Sequence, residues 1–413
     1  MSNKMSNKNR TSDFVIQYLN RIKLAPVKSM NKFIDILYKK HDPEIVTQFF
    51  DLTDDEENER SDEEFYRLKN HTLDLSIDFA RYSTDLYRRY FDWLYSLRHE
   101  EPRRILDVGC ENGIATCFLA TLFPDAEVIG IDISEAAIMR ANELKARLGL
   151  DNITFRQADA REIDQMFGEE KFDWITAARM LNEICDFNFE PTHFWWVADL
   201  TDYEPSQEET AVLLDFGQKI TDKLSDKGKF LVADTIISSA SCYLFAKVLE
   251  QSGLHLNDEQ CTLLHFQELG DEKKMPVMMF EKHNEDKVQL RTFLNLFSTT
   301  NVQVILQNAA YKDDDAEKVF YDLTGKELVK GFQFDYSRET DSTLRTELWD
   351  SDQAVCLLSY SNLGSRLLRT FPKGRVSTLA ESMEDVILRE GEWAGTEIMN
   401  VQAYRSLAER DKL

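Results

Sequence analysis

The line RRILDVGCENGIATCFLA, residues 103–120, constrains the fold of this chain more than any other stretch. A short apolar run carrying Asp107 gives way to Gly109-Cys-Glu-Asn-Gly113 and then to an apolar stretch at helical spacing. That order reads as a buried strand, a glycine turn and a helix. Gly109 and Gly113 allow the chain to turn tightly and a ligand to approach the backbone closely. The unsatisfied N–H groups at the start of the helix suit a carboxylate or a phosphate. Two more acids follow at strand ends. Asp132 closes EVIGIDIS, nineteen residues after Gly113, where a carboxylate can accept both hydroxyl hydrogens of a ribose. Asp159 closes NITFRQADARE, 27 residues further on, where it can take a hydrogen bond from an adenine amino group.

The surrounding texture agrees. Ile105–Val108, Glu127–Ile131, Ile153–Arg156, Phe172–Thr176 and Lys229–Ala233 are short apolar runs that alternate with amphipathic helical stretches. Such alternation predicts a parallel sheet covered by helices, with strands apolar on both faces. Residues 261–269 and 276–282 read as two further strands, with Gly270-Asp271-Glu272-Lys273-Lys274 as the loop of a hairpin. Residues 1–100 read as an all-helical segment. Apolar spacing marks helices over 14–24 and 30–40, a third starts at Asp42-Pro43-Glu44, and Phe65 to Leu97 is helical and rich in aromatics. The acidic run 53–64 reads as a loop between them. Residues 285–413 read as a separate β-containing module. It has a helix over 287–297, β-type runs at 302–306, 319–323, 327–335, 344–349 and 354–360, and a helical end over the last forty residues. Three domains are therefore expected, 1–100, 101–284 and 285–413.

Two nucleoside ligands compete for the glycine turn. The dinucleotide fingerprint GxGxxG is absent, since the chain reads Gly109-Cys-Glu-Asn-Gly113. Over residues 103 to about 283 the sequence instead resembles the class I S-adenosylmethionine-dependent methyltransferases. The resemblance rests on LDVGCENG, IGIDIS, QADARE, the line FDWITAARMLNEI, the Lys227-Gly228-Lys229 turn and the terminal hairpin, in that order. It implies an α/β, Rossmann-like class I methyltransferase sheet, with an N-terminal helical segment and a C-terminal α+β module around it. It implies S-adenosylmethionine as cofactor. Asp107 and the Gly109–Gly113 backbone would hold the methionine end, with Ala178 and Arg179 bordering it. Asp132 would hold the ribose, and Asp159 with the backbone of Ala160 would read the adenine. One departure stands out: the family usually has glycine where this chain has Glu111. A side chain there either crowds the cofactor or points away from it.

Methyl transfer from a sulfonium needs alignment more than acid–base help, so the sequence need not show a catalytic group. His193 is the best-placed base, with packing as its alternative role; Glu183 and Asp234 are further polar candidates. Trp195 and Trp196, in the long stretch 187–209 after the fourth strand, could wall a flat or cationic acceptor or pack against the N-terminal helices. The net charge of −25, from 74 acidic and 49 basic residues, disfavours nucleic acid as a partner. The Asn/Asp-Pro-Pro-Tyr/Phe motif of amino-methylating nucleic-acid enzymes is also missing, which argues against DNA adenine and leaves RNA open. The expected acceptor is a small molecule or a protein side chain, methylated on oxygen or nitrogen. The alternative is a scaffold or sensor that binds the cofactor with little catalysis. No apolar run is long enough for a membrane span, and six cysteines without CxxC spacing or zinc-ligand pairing predict reduced thiols in a cytoplasmic protein without a metal. The 285–413 module is expected to serve self-association or a partner protein.

Overall fold

The computed structural model describes residues 11–54, 62–185, 207–236, 238–282, 287–300, 308–336, 343–383 and 398–412. The chain divides into two compact units. The first comprises Met1–Phe187, Glu208–Ile237 and Ala246–Lys287; the second comprises Asn188–Gln207, Ser238–Phe245 and Val288–Leu413.

The first unit is built on an eight-stranded sheet. Strands β1 (Arg104–Val108), β2 (Glu127–Asp132), β3 (Ile153–Gln157), β4 (Phe172–Ala178) and β5 (Leu224–Ala233) lie parallel in the order β3-β2-β1-β4-β5. The short β6 (His255–Leu256) and the hairpin β7 (Thr262–Glu268) and β8 (Asp271–Glu281) complete it, with β8 antiparallel to β5. This is the α/β sheet expected from the sequence, and its strand order reverses between β1 and β4. Crevices at such a reversal, outside the carboxyl ends of the strands, are where ligands bind in open parallel sheets. The hairpin turns more tightly than expected. Leu269 and Gly270 form the turn with φ of 51° and 108°, and Asp271–Lys274 already belong to β8. A two-residue turn with both φ positive matches the right-handed twist of the strands it joins.

Helices α7 (Ile114–Leu122), α8 (Glu135–Leu148), α9 (Ile163–Phe167) and α10 (Leu181–Cys185) follow β1 to β4 in turn. Local signals set the ends of α8: the Ser134 side chain accepts from the Ala137 N–H, Glu135 occupies the first turn, and Gly149 at φ 63° stops the helix. The N-terminal part is helical as predicted, with α1 (Asp13–Arg21), α2 (Met30–Lys40), α3 (Pro43–Asp54), α4 (Asp62–Lys69), α5 (Leu73–Phe79) and α6 (Thr84–Ser96). Part of it shares the core of the sheet, and part forms a cluster of its own. Val15, Tyr18, Phe91 and Leu94 join Phe118 of α7 and Ile105 of β1 in one buried cluster, and the Phe91 and Phe118 rings stack 4.1 Å apart. A second cluster, including Phe33, Leu37, Phe49, Leu68 and Phe79, lies among α2 to α5.

The second unit contains a six-stranded antiparallel sheet in the order β14-β10-β11-β12-β13-β9. Its strands are β9 (Ala309–Lys312), β10 (Glu327–Tyr336), β11 (Thr343–Asp350), β12 (Val355–Ser361), β13 (Arg366–Phe371) and β14 (Ile398–Tyr404). Two expectations fail here, and two strands, β9 and β13, were not anticipated. Residues 319–323, read as β-type, fall on the helix Asp313–Asp322 and its C-cap Leu323. Ala316, Val319, Phe320 and Leu323 recur at helical spacing against the sheet, and Asp313, Asp314 and Asp315 favour the positive end of a helix. The last forty residues are not uniformly helical, because β14 pairs with β10 from Gly331 to Tyr336. β13 had no counterpart in the sequence reading at all. Its alternate burial of Arg366, Leu368 and Thr370 is the period-two pattern of a half-buried strand, disguised by a buried arginine. The expected run 302–306 lies outside the described residues.

A buried carboxylate ties this sheet together. Glu347 of β11 is inaccessible to solvent and accepts hydrogen bonds from Tyr360 Oη of β12 (2.9 Å), Tyr404 Oη of β14 (2.8 Å) and Trp349 Nε1 (2.9 Å). Arg410 lies 3.8 Å away. Replacing Glu347 by alanine strands three buried donors, each costing about 1–3 kcal/mol. The expected loss is at least about 3 kcal/mol, read by calorimetry as a lower melting temperature for this unit, with Glu347→Gln losing less. An unchanged Glu347→Ala melting temperature would deny the carboxylate its structural role.

Candidate cofactor and acceptor site

A cavity of about 930 Å³ opens at the carboxyl ends of β1, β2 and β4 and is roofed by the N-terminal helices. Asp107, Gly109, Asp132, Asp159, Ala160 and Arg179 all line it. Six of the seven predicted cofactor residues are thus brought to one wall. Gly113, the seventh, is not on the wall. It sits at φ 77° and starts α7, where a Cβ would meet the Phe155 ring at 2.7 Å and Ala141 at 2.9 Å. Its glycine is required by helix–strand packing. Gly109, at φ 70°, is required as well, since a Cβ there would meet Met180 at 2.8 Å. His193, Trp195 and Trp196 lie outside the described residues.

The acids differ in what their environments leave free. Asp107 is buried at the end of β1 and accepts from Thr116 Oγ1 of α7 and Thr176 Oγ1 of β4, both at 2.6 Å. Burial pushes its carboxyl up to about 6, against the two threonine hydrogen bonds. Asp132 accepts from the Glu111 N–H (2.8 Å) with one oxygen and from the Ser134 N–H (2.9 Å) with the other. Each oxygen keeps a second acceptor position. Its carboxyl is also pushed up to about 6, by burial first and then by the nearby charges of Glu111 and Glu183, against the two backbone hydrogen bonds. Asp159 is held below the usual carboxylate range, chiefly by hydrogen bonds from the Arg161 side chain. Both of its oxygens accept from that guanidinium, and one accepts from the Arg161 N–H as well.

Glu111 solves its placement in a way the sequence did not reveal. Its backbone sits at φ 44°, a left-handed conformation that costs a non-glycine residue roughly 1–2 kcal/mol. The side chain reaches Lys69 at the end of α4, with Oε1 and Nζ 2.5 Å apart. Burial works against the Lys69 ammonium, but the Glu111 carboxylate more than offsets it and the lysine stays charged. A second tie runs from Tyr66 Oη on α4 to Glu183 Oε1 on α10, at 2.6 Å. Asn112 Nδ2 donates to Ser76 Oγ of α5 at 2.8 Å, so the glycine turn is wired to the helical roof on several sides. Asp234, also named from the sequence, is buried and accepts from the N–H groups of Met180 and Leu181. It braces the turn after β4. Lys69 and Tyr66 were missed because only the departure at Glu111 hinted that a cation must come from elsewhere.

Beyond the glycine turn the cavity is walled by Tyr82, Tyr87, Tyr90, Leu86 and Met275. Arg179, at φ 55° just past β4, projects into it. No group of acids, cysteines and histidines among the described residues is arranged to hold a metal ion. No helix among the described residues is long and apolar enough to cross a membrane.

Residues 99–235 match the family described as a methyltransferase domain. That stretch is a class I S-adenosylmethionine-dependent methyltransferase domain. The chain is 48% identical over 60 residues to a tRNA (guanine-N(7)-)-methyltransferase of Chloroflexus aggregans, covering 14% of this chain and 27% of that enzyme. It is 31% identical over 103 residues to a trans-aconitate 2-methyltransferase of Acidovorax ebreus, covering 24% and 38%. The chain spans only 13–27% of the length of the first three curated relatives it matches. Among solved structures, a magnesium protoporphyrin IX methyltransferase of Synechocystis with bound S-adenosylmethionine superposes at a TM-score of 0.33, with 16% identity, over 49% of this chain and 84% of that one.

The cofactor of a class I domain is S-adenosylmethionine, and the cavity suits it. Gly109 leaves the turn without a Cβ, and Asp132 keeps two acceptor positions beside it. The charge of Glu111 is already met by Lys69. Glu111→Gln removes one of the charges that raise Asp132 while keeping the side-chain length. The Asp132 titration is then expected to move down from about 6, read from the carboxyl carbon chemical shift against pH. An unmoved titration would mean that Glu111 and Asp132 do not share a field.

Proposed function

We propose that the protein is an S-adenosylmethionine-dependent methyltransferase acting on a small molecule or a protein side chain. The observation that carries this reading is Asp132. It is fixed by two backbone N–H groups and borders a cavity large enough to extend past the glycine turn into a tyrosine-walled end. In this reading Asp132 accepts the ribose hydroxyl hydrogens, the Gly109 turn lies against the methionine portion, and Ala160 borders the adenine. Asp107 acts from behind, holding the turn through Thr116 and Thr176. Arg161 meets most of the acceptor capacity of Asp159, so adenine recognition by that carboxylate requires the arginine to share it.

The cofactor supplies a methyl group activated on sulfonium sulfur. The protein's part is to hold the acceptor in line with it and to exclude water. Positioning of that kind can contribute roughly 7–11 kcal/mol. The roof over the cavity is formed by α4, the turn leading into α6 and α6 itself, which favours an acceptor small enough, or thin enough, to enter beside them. The relatives include enzymes named for tRNA and for trans-aconitate, so an RNA acceptor is the reading to test against. The scaffold alternative is favoured by one observation, that Lys69 and Glu111 both stand on the cavity wall.

Titration calorimetry with S-adenosylmethionine tests the cofactor site. Asp132→Ala loses hydrogen bonds to a charged acceptor worth about 1.5–3 kcal/mol each, so affinity should fall at least about tenfold. In the wild type, affinity should hold above pH 6 and weaken as pH falls through about 6, where Asp132 takes up a proton. Equal affinity in both proteins removes Asp132 from the site. Formation of S-adenosylhomocysteine with a nuclease-treated extract ultrafiltrate supports a small acceptor. Activity that disappears with nuclease points to RNA, and binding without turnover on any fraction favours the scaffold.

A further inference from the structure

Of the charged side chains on the cavity wall, Lys69 is paired with Glu111 and Arg161 with Asp159. Arg179 is paired as well, with Glu268, but through Nη1 alone. Its backbone is fixed, with its N–H donating to Ala233 O at 2.8 Å while φ is held at 55°. Strain of that kind at a cavity wall persists only where neighbouring structure enforces it. Nη1 donates to Ser83 Oγ (3.2 Å) and to Glu268 Oε1 (3.3 Å), and Ser83 Oγ donates to the same Glu268 oxygen at 2.6 Å. Ser83 and Glu268 therefore hold one corner of the guanidinium in place. Nε and Nη2 make no hydrogen bond to the described residues, and the side chain is 38% exposed. They form the edge of the guanidinium that matches the two oxygens of a carboxylate in parallel hydrogen bonds.

The chamber around this edge is aromatic. Tyr82, Tyr87 and Tyr90 line it, with Leu86 and Met275 beside them. Burial raises the phenols of Tyr87 and Tyr90, so both stay neutral and neither competes with an anion for the arginine. Flat rings pack well on such walls. A cation fixed at one corner, with an open planar edge and neutral aromatic walls, is a site for a planar anion.

We propose that the acceptor is a small planar carboxylic acid, anchored through its carboxylate on the Nε–Nη2 edge of Arg179 between Tyr82 and Tyr87. This rests on the reading of the cavity as a methyl-transfer site. It assigns Arg179 to the acceptor rather than to the methionine carboxylate of the cofactor.

Benzoate and its uncharged counterpart benzamide are the probes, titrated into protein saturated with S-adenosylhomocysteine. Wild type should bind benzoate at least about tenfold more tightly than benzamide. Arg179→Gln should bring benzoate down to the benzamide level, and Arg179→Lys should fall between. S-adenosylhomocysteine affinity and melting temperature should stay close to wild type in both variants. Equal binding of the two probes by wild type overturns the proposal, as does benzoate binding unaffected by Arg179→Gln. A tenfold loss of S-adenosylhomocysteine affinity with the benzoate preference intact also overturns it, because the arginine then serves the cofactor. Failure of wild type to bind S-adenosylhomocysteine overturns the functional reading itself, and is seen before any acid is added.

Discussion

The buried carboxylate of Asp107 joins the three elements from which the site departs. It is the penultimate residue of β1, pairs in register with Thr176 of the neighbouring β4, and takes that residue's hydroxyl on one oxygen. The other oxygen takes Thr116, in the first turn of α7. One side chain thereby fixes the strand, the next strand across the switch point, and the helix whose first turn follows the glycine loop. Holding it ionised has a cost. A rise from the ordinary 3.8 to about 6 corresponds to about 3 kcal/mol. The native state binds more protons than the unfolded chain between those values, so this group lowers stability as pH rises from about 3.8 to about 6, and the penalty is complete above that. Without the two threonine hydroxyls the penalty would be larger.

The helical roof converts an open crevice into a chamber. Tyr18 Oη donates to the carbonyl of Ile114, the first residue of α7, at 2.6 Å, and Asn112 reaches Ser76. Helix α4 carries Lys69 to the glycine turn and Tyr66 to α10. The helices therefore meet the sheet both through apolar packing and through polar ties at the cavity mouth. Packing alone would leave the helices free to slide by small amounts. The polar ties set where the tyrosines stand relative to Asp132 and Arg179, and that spacing decides what fits.

Much of this was legible in the sequence because the parallel sheet writes itself in local signals. β1 and β2 are short apolar runs, and their helices follow directly on Gly113 and on the capping Ser134. The second unit was less legible. β14 is held by pairing with β10, a partner more than sixty residues away, and no local pattern announces such a register. Residues 319–323 were misread because Val319, Phe320 and Leu323 look like a strand when taken alone. Their helix becomes visible only with Ala316 and the three preceding aspartates. At the site, the acids at strand ends were visible, but the groups that answer them were not. Lys69 meets Glu111 across 42 positions of sequence, and Arg161 takes up Asp159 from two residues away, without either being part of a recognisable pattern.

Glu111 shows how a departure from a family pattern is absorbed. A glycine at this point would adopt φ 44° freely, whereas glutamate bears a left-handed strain of roughly 1–2 kcal/mol. In return its backbone N–H still reaches Asp132, and its side chain secures α4 through Lys69. Both partners are partly buried, at 15% and 22% exposure, so the pair is screened less than a surface ion pair and can offset strain of that size. The residue that looked like an obstacle in the glycine turn is the point at which the turn and the roof are fastened. Its negative charge has a further effect, since it stands beside Asp132 and adds to the rise that burial chiefly causes in that carboxyl. The chain thus couples the placement of its roof to the ionisation of the group that faces the cavity, through one residue that a bare glycine turn would lack.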